Sequence, residues 1–283
     1  MGWIKSRLLP ERLFIKSLFK TRAGYTLNLN DPKSFNEKIQ WLKLNDRTEL
    51  HTICADKLAV REFVTEEIGP EFLVPLIKYT DNVDDITLDW LPSNPCIIKA
   101  THTSGTYKII RDKKRINIFE VDRLCRKWLK KNYYYNTKEW QYKNIPPRII
   151  VEELLVDENG LIPSDLKFSC FNGRVEMIHV DSNKEDKHLR NHYSREWKPL
   201  DFRWPEELEA GQLVDKPRKL DKMIELAEKL AQNFVYVRVD FYCLEDQIYF
   251  GELTFHPTSG FGRFLPFEED RYYGDKLNIT HLM

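Results

Sequence analysis

The sequence predicts an α+β protein, with antiparallel strands and helices set apart from them. Two hairpins and a set of amphipathic segments carry that prediction. The first hairpin pairs Asp165 to Phe171 with Arg174 to Val180 around Asn172-Gly173, a strong short-turn signal. The second spans Val235 to Pro257 and places charged residues where an apolar face belongs. Elsewhere apolar residues recur at helical spacing, without the alternation of strand and helix that builds a parallel sheet.

Each element has its own local reason. Residues 3–22 carry Lys5, Arg7, Arg12, Lys16, Lys20 and Arg22 against Glu11 alone, interleaved with Trp3, Ile4, Leu8, Leu13, Phe14 and Phe19. Charges interrupt the apolar residues throughout, so this is no signal peptide. Such a basic amphipathic stretch either lies on an anionic membrane surface or packs on the body with its lysines outward. Ser34 can cap a helix with Glu37 three residues on, as in a capping box, and residues 55–67 form a second helix stopped at Gly69-Pro70. Pro95 to Ala100 is a short buried strand that leads into a polar loop, Thr101 to Thr106. Residues 118–131 hold Val121, Leu124, Cys125, Trp128 and Leu129 at helical spacing, and Arg148 to Leu155 is another buried strand. Residues 181–205 read as polar and irregular, and Met223 to Ala231 as an amphipathic helix.

At 283 residues the chain can bury a large core, as one domain or as several lobes. Its 44 basic and 44 acidic residues cancel, so no overall field attracts nucleic acid. No apolar run reaches transmembrane length. Five cysteines, odd in number and never in a Cys-x-x-Cys pair, argue against a disulfide framework or zinc site and for a reducing, cytoplasmic setting.

Chemistry concentrates in the second hairpin. Strand parity puts Arg238, Asp240 and Tyr242 on one face, and Phe250, Glu252, Thr254 and His256 on one face of the partner strand. If the turn centres on Asp246, Asp240 lies opposite Glu252 and Arg238 opposite Thr254. Carboxylates directly opposite repel, and Mg²⁺, which takes one or two carboxylates plus phosphate oxygens, relieves that repulsion. A two-residue turn would slip the pairing by one and part the acids. Without a metal, the same residues are a solvated polar stripe. Lys99 ends a buried strand ahead of Thr101-His-Thr-Ser-Gly105, whose amides and hydroxyls suit a phosphate, though the Walker pattern is absent. Glu152 and Glu153 close another strand. Asp165 and Lys167 share a strand face, fit for a ribose hydroxyl and a phosphate or simply for each other.

In this order the pieces resemble the ATP-grasp superfamily, most closely its TupA-like branch, associated with bacterial surface-polysaccharide synthesis. The landmarks run from Pro32–Trp41 and Ala55–Val64 through Ile98–Gly105, Val151–Leu155 and Asp165–Gly173 to Arg238–Asp240 and Gly251–Gly260. The resemblance implies the ATP-grasp fold, two α+β lobes with ATP between them. Its parts would be a reduced N-terminal helical region (1–54), the start of the fold (55–91), a small lobe with phosphate loop and hinge (92–155) and a C-terminal lobe with the metal site (156–283). It further implies that Lys57 and Lys99 hold nucleotide phosphates and that Thr101, Thr103, Ser104 and Gly105 cover them. Glu152, Glu153 and Leu155 would contact adenine, with Asp165 on the ribose and Lys167 beside it. Arg238 would face the transferred phosphate and share catalysis with Lys99, while Asp240 and Glu252 bridge Mg²⁺. Thr254 stands where the family usually has asparagine, which makes a weaker ligand.

The chemistry so implied is carboxylate activation: ATP yields an acyl phosphate, and an amine then displaces the phosphate. The implied partners are ATP, a uronic-acid-containing saccharide or lipid-linked precursor, and an amine or amino acid. The basic N-terminus would hold the enzyme on the inner face of the membrane. Ser259, Gly260 and Arg263, just past the metal strand, are substrate candidates, as are Lys184, His188 and Arg190 in the irregular stretch. Rival readings are a glycosyltransferase, which the lack of any Asp-x-Asp disfavours, a sugar kinase, and a non-catalytic polysaccharide-binding protein.

Overall fold

Ser34 caps the helix Phe35–Asn45 as its sequence predicts. Its hydroxyl accepts the Glu37 amide at 3.2 Å, and the Glu37 carboxylate accepts the Ser34 amide at 3.2 Å. The computed structural model describes residues 7–182 and 187–283, and its strands follow the apolar runs. β1 (Leu76–Thr80), β2 (Cys96–Ala100), β3 (Tyr107–Ile110) and β4 (Ile149–Glu153) form an antiparallel sheet in the order β1-β4-β2-β3. The helix Ile118–Leu129 lays Val121, Cys125 and Trp128 in one core with Ile98, Ile110 and Val151.

The second sheet holds β5 (Asp165–Phe171), β6 (Arg174–Ser182), β7 (Leu189–Tyr193), β8 (Pro199–Leu200), β9 (Tyr236–Leu244) and β10 (Gln247–Thr254), ordered β10-β9-β5-β6-β7-β8. Asn172 and Gly173, at φ 49° and 83°, make the predicted tight turn between β5 and β6. The helix Leu220–Ala231 covers one face, where Met223, Ala227 and Leu230 share a core with Phe168, Val239 and Phe241. The opposite face divides. Phe171, Met177 and Tyr236 lie under the helices Glu11–Ala23 and Phe35–Asn45, in one core with Phe264 and Tyr273; the remainder carries charges. The N-terminal amphipathic helix therefore packs with Phe14, Ile15 and Phe19 inward and Lys16 and Lys20 outward. Trp3, Ile4, Lys5 and Lys184 lie outside the described residues.

Two expectations change. The helix expected over residues 55–67 is two helices, Glu49–Ala55 and Val60–Glu67. Between them Asp56 accepts the Leu58 amide at 2.9 Å and the Lys57 amide bonds the Thr101 carbonyl at 3.3 Å, which turns the chain toward the loop after β2. The stretch read as irregular contains β7 and β8. Leu189-Arg-Asn-His-Tyr193 lacks apolar alternation because Arg190 and His192 pair with Asp181 and His179 on the charged side of the sheet.

Candidate active site

The hairpin read from the sequence as a metal site reaches its predicted pairing by an unexpected route. Glu245 and Asp246, both left-handed at φ 50° and 64°, make a two-residue turn. That turn pairs Tyr249 with Tyr242 and Phe250 with Phe241, the slipped register that separates the acids. A bulge at Gly251 then absorbs one residue, so Glu252 lies opposite Asp240 and Thr254 opposite Arg238. A side chain at 251 would bring its Cβ within 3.1 Å of the Asp240 carbonyl oxygen, so glycine suits the bulge. The same bulge switches parity. Phe250 joins Ile248 and Leu253 in the core instead of sharing a face with Glu252, which corrects the sequence expectation.

Charge on this face is compensated ion by ion. Arg238 donates from Nε to Asp240 Oδ1 at 2.6 Å and from Nη2 to Asp240 Oδ2 at 2.7 Å, Glu252 Oε1 at 3.1 Å and Thr254 Oγ1 at 3.0 Å. Lys167, opposite Asp240 across β5 and β9, bonds the same carboxylate and lies 3.2 Å from Asp165 and 3.9 Å from Asp181. Asp181 in turn takes a two-pronged contact from Arg190, at 2.6 and 2.9 Å, with His188 beside it at 3.2 Å. Burial pushes the Glu252 carboxyl up, but Arg238, Lys57 and Lys167 outweigh it and hold it down at about 2. Asp181 is likewise raised by burial and brought down to about 2, chiefly by Arg190. Two carboxylates opposite each other, the Glu252 side chain 34% exposed, fit a cation that draws its other ligands from phosphate. Among the described residues no group of three or more His, Cys, Asp or Glu side chains gathers to hold a metal alone. Thr254 donates to Glu252 at 3.1 Å and so stands within the same cluster.

The small sheet brings a second set of groups to the same place. Lys99 of β2 pairs with Glu152 of β4 at 2.7 Å, and Arg61 takes the other Glu152 oxygen at 3.0 Å. Lys57 donates to the Thr103 carbonyl at 2.6 Å; burial lowers its pKa, and Glu252 acts to raise it. Lys57, Arg61, Lys99, Glu152 and Glu252 line one closed pocket of about 20 Å³. Thr101 and Thr103 are buried beside it, and the Thr103 hydroxyl has no hydrogen-bond partner. Gly105 is exposed at φ 66°, Glu153 is exposed and Leu155 half-buried beyond the strand end. Asp165 faces Lys167.

On the other side of Glu252 an open cleft of about 690 Å³ holds Arg238, Thr254, Ser104 and Ser259. Thr258 and Ser259 are both left-handed, at φ 49° and 53°. Their turn is held from below, where Gln40 donates to the Ser259 and Gly260 carbonyls at 2.9 and 2.7 Å and Lys43 to that of Ser259 at 2.6 Å. Gly260 lies under Gln40, where a Cβ would come within 2.8 Å. Arg263 points away from the cleft, onto the Arg22 carbonyl at 2.7 Å and Glu206 at 3.1 Å. His188 and Arg190 belong to the charged row around Asp181 rather than to the cleft lining. Sequence reasoning overlooked Arg61, Asp181, Lys43 and Glu139. Arg61 lay inside a quoted landmark, whereas the other three look like ordinary surface charges until the fold buries them.

No curated protein sequence matches the chain. Among solved structures it is similar to the D-alanine–D-alanine ligase of Bacillus anthracis, at 15% identity over 78% of this chain and 59% of that one, with a TM-score of 0.42. The same ligase complexed with ATP matches at 16% identity over 93% and 70%, with a TM-score of 0.46. An ADP complex of purK, an N5-carboxyaminoimidazole ribonucleotide synthetase, matches at 15% identity over 84% and 56%, with a TM-score of 0.46. The chain thus spans about 56–70% of the length of these proteins. The family model for TupA-like ATP-grasp proteins matches residues 37–278, most of the chain, and the chain belongs to that family.

Proposed function

We propose that this protein is an ATP- and Mg²⁺-dependent carboxylate–amine ligase that works through an acyl phosphate. One observation carries the reading: Glu252 lines both the closed pocket of Lys57, Lys99 and Glu152 and the open cleft of Arg238 and Ser259. A group passed from a nucleotide to an acceptor has to cross at such a junction. The cations Lys57, Lys99 and Arg61 suit the nucleotide phosphates, and the closed pocket, with room for about one water, has to widen before a nucleotide enters. Asp240 and Glu252 would hold Mg²⁺, which when bound supplies charge neutralisation at the phosphate oxygens. Arg238 touches both acids and Thr254, so its guanidinium stands where charge develops as the γ-phosphoryl leaves ADP for the donor carboxylate. An amine then attacks the acyl carbon, and the carbon–oxygen bond to phosphate breaks. No protein nucleophile is required.

The family association points to a uronic acid on a bacterial capsule, teichuronic or O-antigen precursor as the carboxylate, joined to an amine or amino acid. On the inner face of the membrane, Phe14, Ile15 and Phe19 of the helix Glu11–Ala23 would stay buried in the body, leaving the exposed Leu8 and Leu13 beside its lysines to face the lipid. No helix among the described residues is long and apolar enough to cross a membrane. Calorimetry with Mg²⁺–ATP tests the nucleotide site. Binding should depend on Mg²⁺ and weaken on the order of a hundredfold in Asp240→Asn/Glu252→Gln. A folded wild type that binds no nucleotide would remove the ligase and kinase readings together.

A further inference from the structure

The cleft beyond Glu252 contains a buried carboxylate and an exposed guanidinium, neither of them in an ion pair among the described residues. Glu139 follows the short helix Tyr134–Thr137 and is 4% exposed. One of its oxygens accepts the Thr137 hydroxyl at 2.9 Å and the Ser259 hydroxyl, and the other has the Gln141 amide at 3.4 Å. All three donors are neutral. Lys43 acts on Glu139 through space, yet its ammonium is bonded to Gln40 Oε1 at 2.9 Å, the Ser259 carbonyl at 2.6 Å and the Thr137 carbonyl at 3.3 Å. A carboxylate withdrawn from water ordinarily sits against a cation, as Asp240, Asp181 and Glu152 do here. Burial holds the Glu139 carboxyl above the usual range, against Lys43 and its hydroxyl donors. On the same cleft, Arg22 stands over the Phe261 ring at 5.4 Å and meets no carboxylate among the described residues.

Building on the ligase reading, we propose that Glu139 and Arg22 are the two ends of an acceptor subsite for a zwitterionic amino acid, its ammonium on Glu139 and its carboxylate on Arg22. The subsite shares its cleft with Arg238 and Glu252, so the bound amino group faces the place where the acyl phosphate forms. An ammonium has no lone pair and does not attack. Glu139 takes one proton from it, leaving a neutral amine and a protonated carboxyl. The amine then forms the carbon–nitrogen bond as the carbon–oxygen bond to phosphate breaks. Its second proton leaves with the phosphate, and Glu139 returns its own to solvent when product departs.

Calorimetry on the full chain preloaded with Mg²⁺–ADP tests this, with the L- and D-amino acids as probes and, for any that binds, its N-acetyl derivative and its α-carboxamide. At least one amino acid should bind, and N-acetylation or Glu139→Gln should each weaken it about tenfold or more. Arg22→Gln should weaken the amino acid similarly, whereas the carboxamide should bind wild type and Arg22→Gln alike. Binding of Mg²⁺–ADP but of no amino acid overturns the subsite and leaves the ligase reading standing; failure to bind Mg²⁺–ADP overturns that reading itself. Unchanged amino-acid affinity in either variant also overturns the subsite.

Discussion

The two faces of the six-stranded sheet are both buried, but they are stabilised in different ways. Along β5, Leu166, Phe168 and Cys170 alternate with Asp165, Lys167 and Ser169; along β9, Val237, Val239 and Phe241 alternate with Arg238 and Asp240. The apolar set gains from area removed from water, residue by residue. The charged set holds only as a whole, since each ion needs a neighbour to offset its lost hydration. One face therefore tolerates exchanges of similar volume, and the other does not tolerate removal of one charge. A site that must bind phosphate can be built on the second face, because a ligand changes which ions are paired.

The sharpest way to break that contrast lies at adjacent residues. Lys167→Met removes the cation that Asp240 shares with Arg238 and that Asp165 and Asp181 also face, and should cost about 3–5 kcal/mol. Phe168→Leu, one residue on and facing the core, should cost under about 1.5 kcal/mol. Urea denaturation of the two variants reads the difference, and equal costs would mean that the charged row is no more interdependent than the core. Adding Asp240→Asn to Lys167→Met should recover part of the loss, since it removes one of the negative charges that Lys167 offsets while Arg238 keeps Glu252.

Gly251 lets the comparison be made within one strand. On its turn side the ladder is regular, and Ile248→Val should cost about 0.5–1.5 kcal/mol, as in any core. Gly251→Val sets a branched side chain against the Asp240 carbonyl and the Tyr242 ring and should cost about 1–3 kcal/mol. It should also displace Glu252 and weaken Mg²⁺-dependent nucleotide binding, which Ile248→Val leaves as it was. Loss of binding in both variants would show that stability of the hairpin, and not the bulge, sets the site.

These residues also show what a sequence makes legible. Period-two alternation and the Asn172-Gly173 turn identify β5, β6, β9 and β10 because their core faces are apolar. The opposition of Asp240 and Glu252 was anticipated from a turn centred on Asp246. The chain arrives there by a tighter turn plus a bulge, and only the crowding at Gly251 reveals this. β7 was missed because Arg190, Asn191 and His192 are buried polar residues with partners from other elements: Asp181, Gln212 and Trp204. Glu139, Lys43 and Arg22 stand alone among charged neighbours in the sequence. Only the packing of the N-terminal helices against the turn at Thr258-Ser259 brings Glu139 and Arg22 to one cleft, with Lys43 under the turn.

Lys43 extends the comparison to a buried cation that faces no carboxylate directly. Lys167 has two acids within 3.2 Å, whereas Lys43 is fully buried and, among the described residues, meets the neutral oxygens of Gln40, Ser259 and Thr137 and the Phe261 ring at 4.7 Å. Burial brings Lys43 down to about 7, with Glu139 acting to raise it. In the unfolded chain a lysine keeps its proton to about pH 10.4. Between about pH 7 and that value the unfolded state binds more protons, so this group makes the fold more stable as pH rises and costs most where the folded lysine is charged. The buried histidines His179, His192 and His256, all held low, act below about pH 6.5 and do not interfere. Lys57, also lowered by burial, adds a slope of the same sign. From pH 7 to 8.5 Lys43 should therefore contribute a gain of at most about 1.4 kcal/mol per pH unit, roughly 2–4 °C in melting temperature, against the opposite slope of the five cysteine thiols, which burial raises. Lys43→Met should lose that increment and keep the slopes of Lys57 and the thiols, which both proteins share. Parallel slopes for the two proteins would mean that the three oxygens hold the ammonium charged, and that the turn at Ser259 rests on an ion as firmly as the metal hairpin does.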